Sequence, residues 1–297
     1  MRVTFNTNLA DLQQAVSTAA QQMAVYQKQL SSGYRVTVPS DDPIAASAIV
    51  SEKSDLAASD QYQASADTAT SRLTIVDSVM SELINQTTRA QSTALSACGT
   101  TVTDAQRAAA ATTLESARDA IVSVMNTSFR GTYLFSGNDP MTVPYTTAGG
   151  VISTYQGGAG GVHVDIARQA TVQVGFSGND LLKGSDPKDL IQSLTDLAAA
   201  VRAGDQSAIS QGTSALESAF SRLTTAQTKV GNDEAQLDTF RQQITASQLA
   251  GKSRLSTLQD ADLAESVTNM NRANVAYQAA LKAVSNATGT SLMDYLK

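Results

Sequence analysis

Residues 29–47 read "QLSSGYRVTVPSDDPIAAS" and interrupt what would otherwise be one long helical pattern. Before them, Leu9, Leu12, Val16, Ala19, Met23, Tyr26 and Leu30 recur at alternating steps of three and four. That is a heptad seam, the spacing of helices that pack as a coiled coil. Gly33 follows Ser31 and Ser32, and a glycine there suits the left-handed residue that ends a helix. The next residues, Arg35 to Val38, are β-branched and extended in character. Asp42 precedes Pro43, which pushes it toward the β geometry of an N-cap, and proline is favoured at the first helical position. The stretch therefore predicts a helix stop, a short extended spoke and a capped restart. Its residues are Gly33, Arg35, Pro39, Asp41, Asp42 and Pro43.

Working outward, a second helix is expected from about 43 to 98, with a seam at Leu73, Val76, Met80, Leu83, Thr87, Ala90, Ala94 and Ala97, and Gly99 after it. Thr103 and Gln106 have the spacing of a capping box for a third helix. That helix carries Leu114, Ala117, Ile121 and Val124 and fades near Ser128. From Gly131 to Ser185 short β-prone runs alternate with glycine-rich turns, which predicts a small insert of about five strands. Asp186 and Pro187 read as the N-cap and first turn of a helix that stops at "RAGD". A very long pattern follows at Leu216, Phe220, Leu223, Gln227, Val230, Glu234, Leu237, Arg241, Ile244, Gln248, Gly251, Leu255 and Leu258. It then slips by one residue into a last seam: Leu263, Val267, Met270, Asn274, Tyr277, Leu281 and Val284, with Gly289 as its expected end. A slip within a continuous helix predicts a change of packing partner.

The order is close to a palindrome, and it sets the expected fold class: mainly α, with a terminal antiparallel coiled coil, a long helical bundle and a small β-rich inserted outer domain. Residues 1–42 and 256–297 form the coiled coil with its spoke. Residues 43–130 and 186–255 form the bundle, and 131–185 the insert. Leu9–Leu30 are expected to pair with Leu263–Val284, with Asn274 as a polar seam residue fixing register. A two-helix hairpin this rich in alanine is marginal alone, so both chain ends are expected to order against neighbouring copies.

Composition narrows the function. The 297 residues carry a net charge of −6 with no long Lys/Arg run, which argues against a nucleic-acid binder. The lone Cys98 cannot build a disulfide framework and is expected buried at its helix end. The N-terminal residues lack the apolar core of a cleaved signal peptide, and no apolar run is long enough to span a membrane. That pattern reads as cytoplasmic, or as a protein exported without cleavage. Asp41 with Asp42, and Asp260 with Asp262, suggest paired carboxylates. The plainer reading makes the first pair a helix cap and the second a solvated helix face, since no glycine-bearing calcium loop surrounds either. His163, the single histidine, lies in a predicted strand with no partner ligand and no nucleophile-elbow pattern. The glycines at 149–150 and 157–161 lack a closing Lys-Ser/Thr and read as hairpin turns. No catalytic, metal or cofactor site is expected.

With these residues in view, the chain resembles the bacterial flagellin superfamily. The resemblance is carried by "LSSGYRVTVPSDDPIAASAI" (30–49), "QYQASADTATSRL" (61–73) and "TDAQRAAAATTLESARDAIVSVMNTSFRGTYLFSG" (103–137), then by "LQDADLAESVTNMNRANVAYQAAL" (258–281) and the ending "SLMDYL". It covers roughly the first 140 and last 50 residues and is weak across the insert. Cys98-Gly99-Thr100 stands where such proteins often have Asn-Gly-Thr. Pro39-Ser40-Asp41-Asp42-Pro43 has the proline-flanked form typical of the superfamily's hook–filament junction members, whereas filament flagellins usually carry a Lys-Asp-Asp-Ala-Ala-Gly type of run.

The resemblance implies a structural, non-enzymatic role. The subunit would leave the cytoplasm through the flagellar type III apparatus, with a cytoplasmic export chaperone holding its C-terminal helix. It would then assemble outside the cell with copies of itself, between hook-associated protein 1 and flagellin. The seam residues Leu9, Leu12, Val16, Met23, Tyr26, Leu30, Leu263, Val267, Met270, Asn274, Tyr277, Leu281 and Val284 are the expected assembly surface. A filament subunit and an unrelated coiled-coil adaptor are the alternatives.

Overall fold

The computed structural model describes the backbone of residues 2–99, 101–168 and 170–295, with side chains for all of these except 2–6, 8 and 288–295. Seven helices and six short strands follow one another: α1 (Arg2–Ser32), α2 (Pro43–Ser96), α3 (Asp104–Met125), β1 (Ser128–Phe129), β2 (Thr132–Tyr133), β3 (Thr147–Ala148), β4 (Val151–Ile152), β5 (His163–Ala167), β6 (Ala170–Gln173), α4 (Gly178–Leu182), α5 (Leu190–Ala203), α6 (Gln206–Gln259) and α7 (Leu263–Tyr295). The fold is mainly helical with small antiparallel strand pairs, as the periodicities predict. Two compact units are present, Met1–Ala58 with Ser247–Lys297, and Ser59–Ala246, so α2 and α6 each contribute to both.

The larger unit holds the main core. All eight predicted seam residues of α2, Leu73 to Ala97, are 4% exposed or less. All of them but Thr87 share one cluster with Leu114, Ala117 and Ile121 of α3 and with Leu216, Leu223, Val230 and Leu237 of α6. Alanine is frequent in this seam, so helices approach closely and each layer buries little area. Gln227, a polar position of the α6 seam, donates from Nε2 to Asp77 Oδ1 at 3.1 Å and Ser81 Oγ at 2.9 Å. A half-buried amide bonded across two helices helps set their register.

Helix ends follow local chemistry. The capping box at Thr103 and Gln106 forms as expected, each side chain bonding the other residue's backbone N–H. α3 stops at Met125 rather than near Ser128. The amide of Asn126 bonds both the carbonyl and the N–H of Tyr145, at 2.7 and 3.0 Å, and draws the chain out of the helix. The cap of α5 is Asp189, not Asp186: Asp189 Oδ1 accepts from Gln192 N at 2.7 Å. Asp186 is taken by Arg222, whose other guanidinium nitrogens donate to the Leu181 and Leu182 carbonyls.

Among the described residues, 131–185 hold five strands, β2 to β6, the number expected; β1 just precedes them and pairs with β2, so the strands form three two-stranded ribbons, β1–β2, β3–β4 and β5–β6. Gly149 and Gly150 both have positive φ, which a tight two-residue hairpin turn requires. Phe135, Tyr145 and Ile166 are buried beneath the ribbons. Ribbons this short depend on such packing for stability.

Candidate assembly interface

The smaller unit contains α1, the spoke and α7. Gly33 (φ +75°) closes α1, its N–H donating to the Gln29 carbonyl at 2.8 Å. The chain then runs against the turn between α6 and α7. Arg35 N donates to the Gln259 carbonyl at 2.7 Å, Ala261 N to the Gly33 carbonyl at 2.9 Å, and Arg35 Nη2 to the Leu258 carbonyl at 3.0 Å. Arg35 also pairs with Asp42 at 3.2 Å. Val36 is buried beside Ala45 and Ile49, with Leu255 and Leu258 against them.

The two spoke aspartates have separate tasks. Asp41 Oδ2 accepts from Thr37 N, Thr37 Oγ1 and Val38 N at 2.8–3.0 Å. These bonds, the Thr37 backbone donor foremost, hold its carboxyl down from 3.8 to about 2. Asp42 caps α2, Oδ1 accepting from Ala45 N at 3.0 Å, and that bond lowers its pKa too. The expected cap before Pro43 is thus present, while Asp41 ties the spoke's own turn.

At the other end of the chain three expectations change. The helix is not continuous through 260: α6 ends at Gln259 because the spoke occupies the backbone groups of Gln259 and Ala261. Asp262 is a cap and not a residue of a solvated helix face. Its Oδ1 accepts from Ala264 N and Glu265 N at 2.9 and 3.1 Å. The one-residue slip in periodicity is the start of a new helix. α7 then runs past Gly289 to Tyr295, so this glycine does not end it.

α1 and α7 pack against each other, antiparallel, since the end of α1 and the start of α7 meet at the Tyr34–Asp260 bridge. On α1, Ala19 is buried and Leu9, Leu12, Val16, Met23, Tyr26 and Leu30 are half-buried. On α7 the covered side is Ser266, Met270, Ala273, Tyr277, Ala280 and Val284, again a heptad. Of the expected seam, Met270, Tyr277 and Val284 lie on this side. Leu263, Val267, Asn274 and Leu281 do not, and they form an exposed ridge beside it. Asn274 therefore fixes no register with α1. The covered side alternates the small Ser266, Ala273 and Ala280 with the larger Met270, Tyr277 and Val284, while α7's other bulky aliphatics face outward. Leu263 is 53% exposed, Val267 and Leu281 43%, and Val275, on a third side, 66%. Periodicity alone missed the small-residue seam because alanine and serine carry little hydropathy signal.

Pairing of Glu52 with Arg254 through two hydrogen bonds, at 2.7 and 3.1 Å, lowers the glutamate's pKa and ties α2 to α6 in this unit. His163 is exposed on β5, its Nδ1 3.1 Å from the Gly161 carbonyl. Cys98 is half-buried, and its carbonyl accepts from Gln206 at 2.6 Å; Thr100 lies outside the described residues. Among the described residues, no three His, Cys, Asp or Glu side chains gather as a metal would need. None of the described helices is long and apolar enough to cross a membrane.

This geometry has relatives. Residues 3–139 match the bacterial flagellin N-terminal helical region, and 213–296 match the bacterial flagellin C-terminal helical region. Flagellar hook-associated protein 3 of Salmonella typhimurium is 28% identical, with 89% of this chain and 90% of that protein aligned. The protein of the same name from Escherichia coli K12 is 25% identical over 92% of both chains. Among solved structures, a putative flagellar hook-associated protein from Vibrio parahaemolyticus superposes with a TM-score of 0.68 at 20% identity, over 74% of this chain and all of that one. Flagellar hook associated protein-3 from Legionella pneumophila gives 0.65 at 12%, over 71% and 98%. The two helical regions lie on the two sides of the β-rich insert and hold the spoke and both terminal helices, so the chain belongs to the bacterial flagellin family.

Proposed function

We propose that the chain is the structural junction protein of a bacterial flagellum, joining the hook, through hook-associated protein 1, to the flagellin filament. The observation that carries this reading is α7. It is apolar on the side covered by α1, on the Leu263–Val267–Leu281 ridge, and around Val275, Ala276 and Ala279. A helix apolar on several sides is one that becomes buried, here against neighbouring copies in the lattice. The end-to-end relation to two hook-associated protein 3 chains favours the junction over a filament subunit or an adaptor.

The role is non-enzymatic. Residues 1–42 and 256–297 do the assembling, 43–130 and 186–255 form the bundle between them in sequence, and 131–185 is the insert. Export through the type III apparatus comes first, with a cytoplasmic chaperone on the apolar sides of α7, a helix-in-groove mode. The finished subunit is extracellular.

Deleting the gene is expected to leave hooks bare, with unpolymerised flagellin in the medium. Complementation with Val267→Asp/Leu281→Asp is expected to yield exported, folded protein and still no filaments. Normal filaments on the deletion strain would overturn the junction role. Normal filaments on the double variant would overturn the α7 ridge as the lattice contact.

A further inference from the structure

In the larger unit a groove of about 480 Å³ lies between α2 and the β1–β2 and β5–β6 ribbons. Phe129, Val162 and Val174 line it, and its only charged lining residues are Arg72 and Arg130. Arg72 is half-buried, and its guanidinium meets only neutral oxygens: the Val174 carbonyl at 2.7 Å, Thr132 Oγ1 at 3.0 Å and the Tyr133 carbonyl at 3.4 Å. Burial lowers its pKa. The other half-buried arginines of this unit, Arg107, Arg118, Arg222 and Arg241, each hold an aspartate. Arg72 has no such counter-charge among the described residues.

Arg130 is unusual in its backbone. Its φ of 51° is the one positive value among the described non-glycine residues, in a two-residue turn with Gly131. That position favours Asn, Asp or Gly, so arginine there works against the hairpin. The guanidinium stands over the Phe129 ring, 5.2 Å from its centroid, with its charge unpaired among the described residues. Two preorganised guanidiniums over an apolar floor match a carboxylate on an aliphatic stem.

We propose that this groove receives an acidic side chain from a neighbouring copy of the chain, clamped by Arg72 and Arg130. The inference rests on the self-assembly reading above. Charge complementarity supports a second copy as occupant. The chain carries −6 overall, and Asp165, Asp180 and Glu217 of this same unit are exposed and form no ion pair among the described residues. Matching of opposite patches orients subunits as they dock.

The test places a photo-crosslinking benzoylphenylalanine at Thr68, exposed on the α2 wall, in the full chain in flagellated cells. A crosslinked dimer of this chain is expected, mapping to a peptide that contains Asp or Glu. Arg130→Asn should cut its yield about tenfold, while the thermal midpoint of the purified chain holds or rises because the turn is relieved. Attached filaments with no dimer, capture of a different protein, or a yield indifferent to Arg130→Asn would each overturn the groove's role and leave the junction reading standing. A chain absent from flagella altogether would overturn the junction reading, and this inference with it.

Discussion

The spoke is held by a core of three buried side chains, Val36, Ala45 and Ile49, and this makes its stability local and measurable. Val36 is 4% exposed. Shortening it to alanine removes two buried carbons and leaves a gap that so small a cluster cannot refill. The loss is about 2 kcal/mol, from transfer and cavity costs together. The cluster backs the hydrogen bonds from Arg35 N and Ala261 N, so those amides report on it directly. At about 1.4 kcal/mol per tenfold, their hydrogen exchange should quicken about thirtyfold in Val36→Ala. Exchange mass spectrometry of peptides covering 33–38 and 257–263 reads this. Peptides around Leu83 and Leu223, in the core of the other unit, should not change. If exchange speeds up in both units alike, the two are one cooperative block and the reasoning fails. If neither changes, Val36 does not hold the spoke.

The spoke should also sense acid. Asp41 titrates near 2 in the folded chain against 3.8 ordinarily, so its contribution is complete above about pH 4 and is lost as pH falls toward 2. Amide exchange at Thr37 and Val38 should rise across that window in the wild type, while Asp41→Asn should exchange faster at pH 7 and show no such step. In the insert, Gly137 has φ +64°, and an added Cβ would lie 2.0 Å from the Gly158 carbonyl oxygen. Gly137→Ala should therefore cost about 3 kcal/mol or more, read as a fall in the thermal midpoint. An unchanged midpoint would mean that the two backbone segments part without cost.

Much of the fold can be read before any coordinates. The α2 seam is buried at every predicted position because a heptad of aliphatic residues and alanine has only one face to hide. The capping box at Thr103 and the left-handed Gly33 are equally legible, since each depends on residues within one turn of chain. Errors fell where a distant group intervened. Arg222 takes Asp186 and shifts the α5 cap to Asp189; Asn126 shortens α3 to bind Tyr145. The spoke splits one expected helix into α6 and α7 by claiming the backbone around Gln259.

By itself, then, the sequence determined the placement of the main helices around a β-rich insert, the helical class, the spoke with its Asp42 cap and the family, because periodicity, caps and motifs are written in neighbouring residues. Tertiary structure alone decided which face of α7 meets α1. Hydropathy ranks Leu263, Val267 and Leu281 above Ser266, Ala273 and Ala280, yet the small residues are the covered ones, alternating with Met270, Tyr277 and Val284 in a close-packed seam. The bulkier residues are left exposed at the surface.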